Sequence, residues 1–217
     1  MEEYFLQNTG FGRQEIWETI QRLRPIDNIF MVCMYEGNIP LLNKTVRILM
    51  QKHDLNITDS RKSSYLSYVK ERKVMAWAYD KRGNEYEVSI KCVGHVNADQ
   101  LPEKVMDLHA ERRKRDEAAE SPHRYDIRIA ENDLFGEDRP VYPVISKKSE
   151  DEPFKRQILY INGMFRGESA LSCLMHDFHC RTPESMLFYE MRAATIRCKR
   201  TPEGLRRVVK ALITVDL

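Results

Sequence analysis

Apolar and polar positions alternate most regularly between Val74 and Val93, and this alternation predicts a β-hairpin. The first strand runs Val74 to Tyr79. The turn Asp80-Lys81-Arg82-Gly83-Asn84 carries the glycine that a tight reversal needs. On the second strand Tyr86, Val88, Ile90 and Cys92 fall on one face, and Glu85, Glu87, Ser89 and Lys91 on the other. The apolar face should meet a core. The polar face should line a surface or a cleft.

Elsewhere the spacing is helical. Residues 12–23 place Ile16, Ile20 and Leu23 on one stripe with Trp17 beside it, and Pro25 ends the run. Phe30, Cys33 and Met34 suggest a second helix or turn. Asn38 caps a third helix with Leu42, Val46, Leu49 and Met50 inward, so helices occupy 12–52. Residues 55–72 read as a short strand and a loop, and 102–120 as a charged helix. His123–Ile129 is a strand with Tyr125, Ile127 and Ile129 on one face; Pro140–Ile145 and Gln157–Ile161 are two more. Over 167–217 the pattern turns helical again. Leu171, Leu174 and Phe178 share a face, and Thr182-Pro183-Glu184 marks a helix start. Leu187, Met191, Ala194 and Cys198 form its buried stripe, and a last helix or strand covers Pro202–Val215. Strands not separated by crossover helices predict an α/β fold in one domain, 1–217, with a mixed central sheet flanked by helices.

The 217 residues include 35 basic and 33 acidic ones, a net charge of +2, which neither demands nor excludes a nucleic-acid partner. No apolar run reaches membrane-spanning length, and the acidic start Met1-Glu2-Glu3 does not resemble a signal peptide. The five dispersed cysteines read as reduced thiols, which fits a cytoplasmic protein.

Four stretches invite chemistry. Arg112, Arg113, Lys114 and Arg115 could touch phosphates; as a solvated helix they would pair with the acids around them. Cys173, His176, His179 and Cys180 form a C-x2-H-x2-H-C pattern whose spacing matches no usual zinc knuckle. Arg166, between Gly163 and Gly167, could reach a phosphate or sit in a surface ion pair. Tyr65, Tyr68, Arg61 and Lys62 could form an aromatic-basic strip for nucleic acid or a half-exposed loop.

Several segments resemble the Rpn family of recombination-promoting nucleases, a branch of the PD-(D/E)XK nuclease superfamily. Pro25 to Met31 resembles the family's "LIDDxFM" stretch, and Gly83 to Lys91 its "GxxYxIExQ" strand. Ile129 to Gly136, with Pro140-Val141-Tyr142, resembles "ITENDxxGxGLPIY". Ile158 to Gly167 and Leu174 to Phe178, with Cys180, Pro183 and Met186, continue the likeness over most of residues 25–200. The resemblance implies a PD-(D/E)XK core, with helices on both sides of the sheet, and metal-dependent DNA cleavage.

The chain departs from that pattern where the metal would bind. An aspartate is implied on the first hairpin strand, where Met75 and Ala76 stand. An acid is implied where Ser89 stands, and only Lys91 survives. Hard cations favour anionic oxygens; a serine hydroxyl is a weak substitute, and methionine or alanine is none. A migrated carboxylate could restore the site if Glu87 met Asp27 or Asp80 around Mg²⁺. The expectation is therefore a degenerate nuclease fold that needs no cofactor and binds nucleic acid or a protein. An active endonuclease using Glu87 and Lys91 is the alternative.

Overall fold

The computed structural model describes residues 12–63, 72–97, 104–105, 122–145 and 156–213. The basic run Arg112–Arg115 and the tyrosines at 65 and 68 lie outside them, as do the side chains of Arg61 and Lys62.

Among the described residues, three helices come first: α1 (Arg13–Arg22), α2 (Asn28–Tyr35) and α3 (Ile39–Met50). Six of the eight α2 residues, Phe30 to Tyr35, are buried, so this helix runs through the core rather than along it. α3 starts where expected, because the Asn38 side chain accepts from the Leu41 amide at 3.3 Å. Its inward stripe of Leu41, Leu42, Val46 and Leu49 is buried.

The strands are β1 (Asn56–Ser63), β2 (Lys73–Tyr79), β3 (Glu85–Cys92), β4 (Lys104–Val105), β5 (His123–Ala130), β6 (Val141–Ile145) and β7 (Arg156–Asn162). They form one mixed sheet in the order β1-β2-β3-β5-β7-β6-β4. β3, β5 and β7 are parallel neighbours, and the other pairs are antiparallel. The charged-helix expectation for 102–120 fails at its start. Lys104 and Val105 pair with Ile145 and Val144 as a short edge strand, and the rest of that stretch lies outside the described residues.

The hairpin forms as its alternation requires. Ala76 faces Val88 and Ala78 faces Tyr86, all buried. Gly83 takes φ +82°, a conformation that a side chain would strain. Asp80 organises the turn by accepting from the Arg82 and Asn84 amides at 2.9 Å and from the Asn84 side chain at 2.8 Å. The Asn84 side-chain bond, with the backbone amides, holds the Asp80 carboxyl down to about 2 from an ordinary 3.8. A depressed carboxylate adds stability above its unfolded value and loses it as pH falls through the folded one. The turn's contribution should therefore fade between pH 3.8 and about 2. Thermal midpoints across that window should fall more steeply in the wild type than in Asp80→Ala. Parallel curves would remove Asp80 from the account.

The C-terminal helices are α4 (Ala170–His179), α5 (Tyr189–Arg200) and α6 (Pro202–Ile213). The helix expected to start at Thr182-Pro183-Glu184 is a single 3₁₀ turn, Pro183–Ser185, and the real helix begins at Tyr189. Leu187, expected on its buried stripe, is instead 58% exposed, whereas Met191, Ala194 and Cys198 are buried as expected. Gly204 lets α6 close onto α5, since a Cβ there would lie 1.9 Å from the Arg197 carbonyl.

The six helices among the described residues all contribute to one core against the sheet face of Val74, Ala76, Val88, Ile90, Ile127 and Ile129. The opposite face carries a smaller cluster of Ala130, Leu134, Tyr142, Val144, Ile158 and Tyr160. Next to that cluster lie the polar residues of β3 and β5.

Candidate functional site

Parallel pairing of β3 with β5 sets three polar couples side by side. Glu87 faces Arg124, Ser89 faces Asp126, and Lys91 faces Arg128. On the other flank Ser89 is paired with Met75. Because strand residues alternate, these side chains share one face, away from the helices.

Ser89 and Asp126 are buried, at 4% and 7% exposure. Burial of polar groups demands partners, and they have them. The Ser89 hydroxyl donates to Asp126 Oδ1 at 2.9 Å. Arg128 donates to Asp126 Oδ2 from Nε at 3.0 Å and from Nη2 at 2.9 Å, and from Nη1 to the Tyr160 hydroxyl at 2.6 Å. Burial works against the Arg128 charge, but Asp126 and then Tyr160 outweigh it and raise its pKa above the ordinary value. A continuous polar chain, Ser89–Asp126–Arg128–Tyr160, thus crosses three strands beside half-buried Lys91.

The candidate carboxylates do not converge. Glu87 is 3.2 Å from the Arg124 guanidinium. Asp80 meets the Tyr86 hydroxyl at 3.1 Å, and Tyr86 lies on the face of β3 opposite Glu87. Asp27 precedes α2 and accepts from the Arg24 amide at 2.6 Å and its guanidinium at 3.1 Å. The same guanidinium reaches Glu131 at 2.7 Å. Arg166 donates to the Gly163 and Phe165 carbonyls at 3.0 and 2.9 Å.

The residues at the positions where the sequence resemblance implies metal ligands therefore do not fit Mg²⁺. Met75 offers no oxygen, Ser89 offers only a neutral hydroxyl, and the nearby Asp126 carboxylate is paired with the Arg128 guanidinium. A carboxylate, Asp126, does lie next to Ser89, but on β5 and with its counter-charge two residues along. Reading His123–Ile129 for its apolar face hid this: the other face alternates Arg124, Asp126, Arg128, and that alternation was the available signal.

Comparison with protein-family models, curated proteins and solved structures gave no match in any of the three.

Proposed function

We propose that this chain is a non-hydrolytic, nuclease-like binding protein, with nucleic acid as the partner class. The observation that carries the reading is the salt bridge of Asp126 to Arg128 beside Ser89 and Lys91. It supports the reading because the Arg128 guanidinium is a fixed cation beside the position at which the nuclease resemblance implies a metal. The guanidiniums of Arg124 and Arg128 and the Lys91 ammonium put three positive groups on that strand face, interleaved with the carboxylates of Glu85, Glu87 and Asp126. Arg112–Arg115, close in sequence to β5, add a second set of phosphate-binding candidates.

The active-endonuclease reading needs Glu87 to share an ion with Asp27 or Asp80. Its support is weakened by the separate partners that each of the three carboxylates holds.

The test combines cleavage and binding. Supercoiled plasmid incubated with the protein and Mg²⁺ or Mn²⁺ should remain intact. Fluorescence anisotropy with labelled DNA should show affinity that falls steeply with salt, and Lys91→Glu should weaken binding at least about tenfold. Divalent-dependent nicking abolished in Glu87→Ala or Asp126→Asn would overturn the non-hydrolytic reading. Stoichiometric capture of a protein with no DNA affinity would replace nucleic acid by a protein partner.

A further inference from the structure

The last turn of α4 carries His176, and Cys180 follows four residues later at the helix end, on the same side of the turn. The Cys180 Sγ and His176 Nε2 lie 3.4 Å apart. The Ser185 carbonyl oxygen is 3.1 Å from that nitrogen and 3.6 Å from that sulfur. Zinc binds thiolate at about 2.3 Å and imidazole or oxygen at about 2.0–2.2 Å, so tetrahedral ligands around it stand roughly 3.4–3.6 Å apart. The three donor atoms are already spaced close to one face of such a tetrahedron.

Asp177 supports the arrangement from behind. Its carboxylate oxygens accept the Leu187 amide at 2.7 Å and the Phe188 amide at 2.8 Å. This pins the 185–188 segment to α4 and so places the Ser185 carbonyl. Ligand atoms of His176, Asp177 and Cys180 all lie within 4.8 Å of one another. His176 is exposed, which opens the group to an ion from solvent.

We propose that His176, Cys180 and the Ser185 carbonyl bind a soft divalent cation of the zinc type, with the Asp177 carboxylate as its neighbouring counter-charge. Thiolate and imidazole select zinc or cobalt over magnesium. Binding releases the Cys180 thiol proton, and the thiolate and carboxylate together balance the dication. The other half of the C-x2-H-x2-H-C pattern takes no part. His179 turns to the Gly163 carbonyl at 3.1 Å, and Cys173 lies outside the group. In this arrangement only two of the four residues of the sequence pattern take part, while the Ser185 backbone carbonyl supplies the third donor.

The test is titration of the full chain, stripped with a chelator, by Co²⁺ alone. One equivalent should bind with a thiolate-to-cobalt charge-transfer band, and Zn²⁺ should displace it. Cys180→Ser and His176→Asn should weaken binding more than about 100-fold, beyond what loss of an outer partner costs, and Cys173→Ser should bind as the wild type does. Zinc should raise the thermal midpoint of the wild type and not of His176→Asn, a surface substitution that leaves the fold intact even if Cys180→Ser does not. Absence of the band, or its persistence in His176→Asn at unchanged affinity, would leave these atoms joined by hydrogen bonds alone and overturn the proposal.

Discussion

Replacing Lys199 with methionine should lower the unfolding free energy by about 3 kcal/mol, from the balance of two opposing effects. Lys199 is 2% exposed. Its ammonium donates to the carbonyls of Gln21 at 2.8 Å, Leu23 at 2.7 Å and Arg181 at 2.6 Å. The first two lie at the end of α1, where helix carbonyls have no partner of their own. Methionine keeps the packing against Phe30 but donates nothing. Each stranded carbonyl costs roughly 1–3 kcal/mol. In the other direction, burial pulls the ammonium from 10.5 down to about 8, so removing the buried charge returns about 3 kcal/mol. Three carbonyls outweigh one desolvation.

The same depression gives a pH signature. Between about 8 and 10.5 the unfolded chain keeps a proton that the folded chain has released. Wild-type stability from this group therefore rises with pH across that window, and the gap to Lys199→Met should widen there. Urea unfolding of both proteins at neutral and at alkaline pH measures it. Equal midpoints at neutral pH would mean that the three carbonyls find other donors, and the clamp would be discarded.

Arg128→Met should destabilise by about 3 kcal/mol, because removing one partner of a buried ion pair strands the other charge. The side chains of Arg128 and Asp126 are 17% and 9% exposed, which puts the effect at the lower end of that class. The Glu87–Arg124 pair is more exposed, at 20% and 32%, and Arg124→Met should cost about 1 kcal/mol or less. In a double-mutant cycle, Arg128→Met combined with Asp126→Ala should cost less than the two separately, since no charge remains unpaired. Additive effects would show that the two side chains are not coupled. The polar chain across β3, β5 and β7 would then lose its role in the proposed function.

Much of the fold was legible because short-range periodicity reports burial directly. Tyr86, Val88, Ile90 and Cys92 are buried as their alternation required, and Leu42, Val46 and Leu49 as their helical spacing required. The failures have local causes. Thr182-Pro183 carries the signals of a helix start, yet Asp177 binds the Leu187 and Phe188 amides, holding that stretch against α4 in place of a helix turn. Leu187 is left facing solvent. At residue 104 the charge pattern argued for a helix, but pairing with β6 decided for a strand. No helix among the described residues is long and apolar enough to cross a membrane, in line with the absence of a long apolar run.

By itself the sequence determined the α/β class, the hairpin and the two faces of its second strand. These depend on residues close along the chain. Only the tertiary structure decided which side chains meet. The parallel pairing of β3 with β5 brings Asp126 to Ser89, 37 positions away, and the seating of the 185–188 segment brings a carbonyl to His176 and Cys180. Parallel strands are joined through long connections, and nothing local in either strand records the register of its neighbour. A donor supplied by the backbone has no residue type to announce it.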